Sequence, residues 1–450
     1  MPKYFIETFG CQMNFHDSER LAGLLEAEGY EPVPDERTAD LVVINTCSVR
    51  ERAVDKLYSR LGEVRVAVAE RNSKPVVAVA GCVAQQEGDR LFARDLSVDV
   101  VVGTQRLKDL PALVGAARES RGPTIDVRPH DDVSFPLGLA RHSDPVRAWV
   151  TIIEGCNEFC AFCVVPRTRG HERMRTVRDV LAEVQAAVDA GRREIQLLGQ
   201  IVNHYEAPDD SACDFAELLR RVSGVPGVWR VRFASPHPRH VTERLVAAIR
   251  SLPQVCKHLH LPVQSGSDRV LAAMRRRHTR VDYLALVDRL RDAVPGIALS
   301  TDLIVGFPGE TAGDFELTLD LLRRVRFHSI FSFKYSPRPG TLAIKRMPDD
   351  VPEAEKTRRI LAVQHLQREI QLEWHRAMVG SEVEVLVDGR SKRRSGEMAG
   401  RTTGNAIVNF PGGQELVGTL VRVRVTAAGP NSLRGELAGV IESELHGVAG

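Results

Sequence analysis

The sequence predicts a multidomain α/β protein: a parallel α/β amino-terminal domain, a partial (β/α)6 barrel, and a small antiparallel β-barrel at the carboxyl end. Three observations predict it. Short apolar runs alternate with helical stretches up to about residue 140, the pattern of a parallel sheet. Six more apolar runs, most of them separated by helical segments, lie between residues 145 and 376. From about 377 helix signals become scarce, and short β-type runs stand between Gly-rich turns, as in a small closed barrel. A length of 450 residues suits about three domains at roughly 150 residues each.

In chain order, KYFIETF reads as a strand and SERLAGLLEAEGY as a helix capped by Ser18 and ended by Gly29, since Ser favours the cap and Gly the exit. LVVIN is a second strand, residues 51 to 70 a helix, and PVVAVA a third strand. The stretch from Glu119 to Asp144 is rich in Pro, Gly and charge and reads as a linker. WVTII, EIQLL, WRVRFAS, HLHLPV, ALSTDLIVGF and SIFSFKY supply the six barrel strands; an open doubly wound sheet is the competing arrangement. SEVEVLVDG, GNAIVNF and LVRVRVTAAG supply the terminal barrel. The expected units are 1–118, a linker over 119–144, 145–376 and 377–443.

Hydrophobic residues make up 43% of the chain and the net charge is only +2. A polyanionic partner must therefore be met by local patches rather than by the whole surface. No apolar run reaches the ~18 residues of a membrane span, and MPKYFIETFG has neither the basic region nor the apolar core of a signal peptide. The expectation is a cytoplasmic protein that does not enter a membrane. Eight cysteines in such a compartment point to metal ligands or catalytic groups rather than disulfides.

Six of the eight fall into two sets of three. Cys156, Cys160 and Cys163 sit in EGCNEFCAFC just after the strand WVTII, at the end of a barrel strand where reactive groups collect. Three thiolates on one tight loop can hold three irons of a 4Fe–4S cluster and leave the fourth open to an exchangeable ligand. A zinc knuckle completed by His171 or His204 is the alternative. Cys11, Cys47 and Cys82 each follow one of the first three strands, 36 and 35 residues apart. In a parallel sheet those loops emerge at one edge, where ligands bind. The competing reading is three unrelated buried thiols. Cys213 and Cys256 have no partner at ligand spacing and read as structural.

FGCQMN, NTCSVRERA, EGCNEFCAFCVVPRTRG, PVQSGSD and STDLIVGFPGET together resemble the radical S-adenosylmethionine methylthiotransferase family over essentially the whole chain, in particular its bacterial branch acting on N6-dimethylallyladenosine in tRNA. The resemblance implies an auxiliary-cluster domain, a radical S-adenosylmethionine core and a terminal TRAM barrel. It implies that Cys156, Cys160 and Cys163 hold the catalytic 4Fe–4S cluster that binds S-adenosylmethionine. Cys11, Cys47 and Cys82 would hold a second 4Fe–4S cluster. One S-adenosylmethionine would give a methyl group and another a 5′-deoxyadenosyl radical, and the 2-carbon of the adenine would receive a methylthio group. Gln200, Ser235 and Gln264, at barrel-strand ends, are the residues placed beside S-adenosylmethionine. Arg167 stands where the family commonly has Tyr, and Ile201 where Asn is common after LLGQ.

RNA needs cationic contacts to phosphate. Three basic runs offer them: Arg167 to Arg178, Arg275 to Arg280, and Arg390 to Arg401. The first and last are expected where RNA would lie, so Arg167, Arg169, Arg390, Lys392 and Arg393 are the expected RNA contacts. The expected partners are tRNA bearing N6-dimethylallyladenosine and a reducing electron donor such as flavodoxin, with the protein acting as a monomer. Other acceptors within the same chemistry are threonylcarbamoyladenosine in tRNA or a ribosomal-protein aspartate. A different class is a non-catalytic metal-containing RNA-binding protein. A simple radical methyl-transfer or electron-transfer enzyme would need only the Cys156 set.

Overall fold

The structure, a computed structural model, describes residues 1–48, 53–71, 73–120, 122–129 and 140–441. The first domain is a six-stranded sheet in the order Glu31–Pro32, Lys3–Phe9, Leu41–Thr46, Val76–Gly81, Val100–Val102, Thr124–Asp126. Every pairing in it is parallel. Its strands are continuous apolar runs because helices cover both faces. Leu41 and Val43 pack with Leu21 and Leu25 on one side, while Val42 and Ile44 pack with Leu57 and Leu61 on the other.

Two expectations need correction here. The first helix is Gln12–Ala27, capped at Cys11, so it begins six residues before Ser18. Ser18 lies inside it, its hydroxyl 2.7 Å from that of Thr8 and accepting from Asn45. A Ser in mid-helix mimics a cap in sequence when its hydroxyl is spent on tertiary bonds. The expected linker also contributes a strand, Thr124–Asp126; residues 130–139 of it lie outside the described residues.

The six expected barrel strands form two parallel trios. Arg147–Thr151, Glu194–Leu198 and Arg230–Phe233 make one, and His258–His260, Ala298–Val305 and Ser329–Lys334 the other. A parallel bridge between Val231 and Val255 spans the junction between them. Ala148, Val150, Ile195 and Leu197 point outward onto Val180 and Val184 of the helix Val177–Asp189. The alternate residues Trp149, Gln196, Glu194 and Arg232 therefore face the barrel interior.

The helix Glu353–Ala377 leads into a closed five-stranded barrel. Two of its strands, Glu397–Arg401 and Leu433–Val440, are additional to those expected. The pairing of Ile407–Pro411 with Leu433–Val440 is parallel, the exception in an otherwise antiparallel barrel. It docks on the amino-terminal ends of the core strands. Arg230 donates to the carbonyl of Arg401 (2.6 Å) and Arg232 to that of Thr402 (2.6 Å). Glu194 joins them, bonded to Arg147 at 2.5 Å and Arg232 at 2.8 Å. Burial opposes its ionisation, yet the guanidinium of Arg232 and then that of Arg147 hold its carboxyl down at about 2.

Candidate metal centres

Cys11, Cys47 and Cys82 follow three adjacent parallel strands, Lys3–Phe9, Leu41–Thr46 and Val76–Gly81. The geometry brings them together. The Cys47 thiol sits between those of Cys11 and Cys82 and hydrogen-bonds with both. Those bonds hold the thiols of Cys11 and Cys82 down, to about 5 and about 7, the charge of Arg169 adding to both, while Cys47 is pushed up as the shared donor. Small residues allow the approach: a Cβ at Gly10 would lie 2.9 Å from that of Cys47. A fully buried amide pair braces the loops. Asn14 Nδ2 donates to Asn45 Oδ1 at 3.1 Å, Asn45 Nδ2 donates to the Asn14 carbonyl at 2.8 Å, and Cys11 Sγ donates to Asn14 Oδ1 at 3.3 Å. Sequence reasoning missed both asparagines. Their signal was position, one inside FGCQMN and one inside the apolar run before Cys47.

Arg169 corrects an expectation. Predicted to meet RNA, it is 4% exposed and ion-paired with Asp17, itself 1% exposed. A guanidinium so enclosed does not reach a phosphate. Its charge acts on Cys11 and Cys82, and its Nη1 is buried without a hydrogen-bond partner. The loop carrying it is clasped by the first domain. Thr104 Oγ1 donates to the carbonyl of Thr168 and Gln105 Nε2 to that of Arg169, the latter at 2.8 Å. Alongside, the helix Gln12–Ala27 lies on the strand Arg147–Thr151. His16 bonds Thr151 at 2.7 Å and Glu183 at 3.0 Å, and Phe15 packs on Trp149 with ring centroids 5.9 Å apart.

Cys156, Cys160 and Cys163 line the loop after the strand Ile153–Glu154. The amide of Cys163 donates to the carbonyl of Cys160 at 3.0 Å, and that of Cys156 to the carbonyl of Gly170 at 3.2 Å. Burial raises the thiols of Cys156 and Cys163, to about 11 and about 12. Arg276, 7% exposed, reaches into this loop. Its Nη2 donates to the carbonyl of Pro262 at 2.8 Å and its Nη1 lies 3.7 Å from Cys160 Sγ. Around the loop stand His204 and His240 (centroids 4.3 Å apart), His237, and Glu158, which accepts from His240 at 3.1 Å. None of Arg276, His237, His240 or Glu158 was marked in the sequence as part of this site; Glu158 lies within the cysteine loop, while Arg276, His237 and His240 come from distant segments and carry no local spacing signal.

The donors fit iron–sulfur clusters better than zinc. Soft thiolates in threes suit iron–sulfur chemistry. Among the described residues no group of three or more His, Cys, Asp or Glu is arranged to hold a single metal ion. In the alternative of a zinc knuckle the completing ligand would be His171, whose Nδ1 lies 3.2 Å from Asn157 Oδ1, or His204, whose Nδ1 is 2.9 Å from Glu172.

Ser235 and Gln264 follow the strands Arg230–Phe233 and His258–His260 with left-handed φ of 61° and 75°. Such backbone in non-glycine residues costs about 1–3 kcal/mol and concentrates at ligand sites. Gln264 is buried, and Gln200 carries a buried Oε1 with no hydrogen-bond partner. Arg167 is exposed, its Nη1 donating to the Gly340 carbonyl at 2.9 Å. Arg390, Lys392 and Arg393 line a cavity of about 610 Å³ on the terminal barrel, with Arg394 and Arg434 beside them. Cys213 and Cys256 are buried.

Three family profiles match the chain: Uncharacterized protein family UPF0004 over residues 3–103, the Radical SAM superfamily over 150–322, and the TRAM domain over 376–438. The tRNA-2-methylthio-N(6)-dimethylallyladenosine synthase of Solibacter usitatus (strain Ellin6076) is 47% identical, across 97% of this chain and 98% of that relative. The protein of the same name from Aquifex aeolicus (strain VF5) is 43% identical across 98% and 99%. In fold, the radical S-adenosylmethionine methyltransferase TsrM from Kitasatospora setae, solved with cobalamin and a 4Fe–4S cluster, superposes with a TM-score of 0.58 at 16% identity, covering 76% of this chain and 74% of that one. The chain belongs to the family of tRNA-2-methylthio-N(6)-dimethylallyladenosine synthases.

Proposed function

We infer that this protein joins a methylthio group to the 2-carbon of N6-dimethylallyladenosine in the anticodon loop of tRNA. The observation that carries the reading is the pair of three-cysteine sites, linked through the Arg169 loop, in a chain 47% identical to a synthase of that nucleoside. An aromatic C–H has no useful acidity at neutral pH, so a general base cannot activate it. Two 4Fe–4S clusters and two molecules of S-adenosylmethionine, when bound, supply the one-electron chemistry, the methyl group and the sulfur that no side chain provides.

The chain's own residues bind, orient and enclose. Cys156, Cys160 and Cys163 hold one cluster, and Cys11, Cys47 and Cys82 the other. Arg169 neutralises charge at the second set while its backbone anchors the loop that bears the first. Gln200, Ser235 and Gln264 contact S-adenosylmethionine at the barrel mouth. Arg390, Lys392 and Arg393 grip the tRNA stem, and Arg167 guides the anticodon loop. The target base leaves its stack at a cost of a few kcal/mol, least in a single-stranded loop. The electron donor is a small redox protein such as flavodoxin, and the protein works in the cytoplasm as a monomer. No helix among the described residues is long and apolar enough to cross a membrane.

Mass spectrometry of tRNA nucleosides tests the reading. Deleting the gene removes 2-methylthio-N6-dimethylallyladenosine and leaves its unthiolated precursor to accumulate. Persistence of the thiolated nucleoside, or loss of a threonylcarbamoyl derivative instead, overturns it.

A further inference from the structure

The strand Ser329–Lys334 ends the second trio of the core: among the described residues it pairs with Ala298–Val305 and with no other strand. Its residue Ile330 packs into the core with Leu303 and with Val363 of the helix Glu353–Ala377. Phe331 and Phe333 alternate with the residues on that side, so they turn toward the barrel interior. The register agrees, setting them beside Asp302 and Ile304, and the ring of Phe331 meets that of His260 edge-on, with centroids 5.7 Å apart. Even so, Phe331 is 56% and Phe333 48% exposed, since no further strand covers this edge. Two large rings side by side in water, next to a finished core, mark a binding surface.

A groove of about 340 Å³ runs along this edge. Besides the two rings it is lined by Gln364, Gln367, Arg368 and Gln371, which share one face of the helix Glu353–Ala377. Gln367 is 5% exposed; its Nε2 donates to the Phe327 carbonyl at 2.8 Å, and its Oε1 is buried without a hydrogen-bond partner. Among the described residues no carboxylate lines the groove. Pro430 and Asn431 of the terminal barrel line it as well, and Asn431 equally lines the cavity that holds Arg390, Lys392 and Arg393. The two hollows are therefore neighbours across one loop. In the second, Asp144 and Asp388 are both answered by Arg147, at 3.7 and 3.3 Å, and Arg394 and Arg434 share Glu397. Arg390, Lys392 and Arg393 stand exposed. The cationic hollow suits phosphates and the aromatic one the flat faces of bases, and unpaired RNA presents both along one strand.

We propose that Phe331 and Phe333 form a stacking platform for an unpaired base of the bound tRNA, whose backbone phosphates lie in the cationic cavity of the terminal barrel. The amides of Gln364 and Gln371 offer donors and acceptors to the base edge, and the free Oε1 of Gln367 a further acceptor. The platform also adjoins the residues placed beside S-adenosylmethionine. The Gln264 amide donates to the carbonyl of Asp302 and the Gln264 carbonyl accepts from Ile304, each at 2.9 Å, and Asp302 and Ile304 are the register partners of the two phenylalanines. A base stacked here thus holds the RNA one strand away from Gln264. Phe331 and Phe333 are positioning residues, and the proposal rests on the reading of the substrate as tRNA.

The test uses the reconstituted full-length protein, F331L/F333L and F331Y/F333Y. The probes are the anticodon stem–loop of the tRNA and a set in which each loop base in turn is replaced by an abasic sugar. Leucine keeps apolar bulk in the groove but has no π face, whereas tyrosine keeps both rings. F331L/F333L is expected to bind the intact stem–loop about tenfold more weakly, the effect of losing one stacked base, and F331Y/F333Y to bind as wild type does. The salt dependence of affinity stays that of wild type, since no phosphate contact is removed. At least one abasic position should weaken wild type about tenfold and leave F331L/F333L unaffected. Equal binding by wild type and F331L/F333L overturns the proposal, as does an equal loss with tyrosine, or a leucine variant that loses as much as wild type at every abasic position. A flattened salt dependence overturns it too, because the loss then comes from the cationic cavity. A wild-type dimer in sedimentation that F331L/F333L does not form assigns the strand edge to a second copy of the chain and likewise overturns it. Failure of wild type to bind the intact stem–loop would instead refute the function on which it rests.

Discussion

Cys47 is the residue on which the first-domain site turns, because its thiol alone touches both neighbours. Cys47→Ala is expected to abolish methylthiolation while leaving 5′-deoxyadenosine release measurable, and to lower bound iron from about eight to about four per chain, as four irons go with each cluster. Iron analysis and single-turnover assays check both outcomes; loss of cofactor cleavage as well would make the first domain only a folding partner. His16 predicts a pH dependence. Burial, helped by the charge of Arg20, depresses its imidazole to about 4. The stability it lends is present above the unfolded value of about 6.5 and is lost as pH falls toward 4, because the unfolded chain takes up a proton that the fold refuses. The slope for this group approaches ~1.4 kcal/mol per pH unit. His16→Gln, which retains an amide donor and acceptor, should flatten the urea-midpoint profile across that window.

At the scale of elements, Gly266 shows how tightly the strand-end loops are seated. A Cβ there would meet the carbonyl of Leu317 and lie 2.5 Å from Thr318 Cα, both in the helix Ala312–Val325. Neither backbone atom can move without shifting the helix, so Gly266→Ala is expected to destabilise the core by about 1–3 kcal/mol, as overpacking does. Thermal denaturation measures it. The elements most legible in the sequence were the buried parallel strands, since LVVIN and PVVAVA are unbroken apolar runs. Those that escaped lacked such a pattern. Thr124–Asp126 is three residues inside a Pro- and Gly-rich stretch, and LRGELAGV mixes charge and glycine along a strand of the small barrel. The six cysteines were legible as two sets because spacing carries that information. The burial of Arg169 was not, because a basic run reads the same whether its members face water or a buried carboxylate such as Asp17.

Across the whole molecule, the terminal barrel offers a charged groove held to the base of the core by Glu194 and its arginines. R390E/K392E/R393E is expected to weaken tRNA binding at least about tenfold and to reduce the salt slope by about one for each phosphate no longer neutralised. Cleavage of S-adenosylmethionine without tRNA should stay unchanged. Filter binding at several salt concentrations, beside 5′-deoxyadenosine release, gives both numbers.

The seating of Arg169 against Asp17 has an evolutionary corollary. The amino-terminal unit borrows a counter-charge from its neighbour, so removing that guanidinium alone, as in Arg169→Ala, would leave Asp17 a buried carboxylate without its ion-pair partner, at a penalty of about 3–5 kcal/mol. The two units are thus poor candidates for shuffling apart and good ones for complementation, in which separately produced halves regain solubility only when mixed.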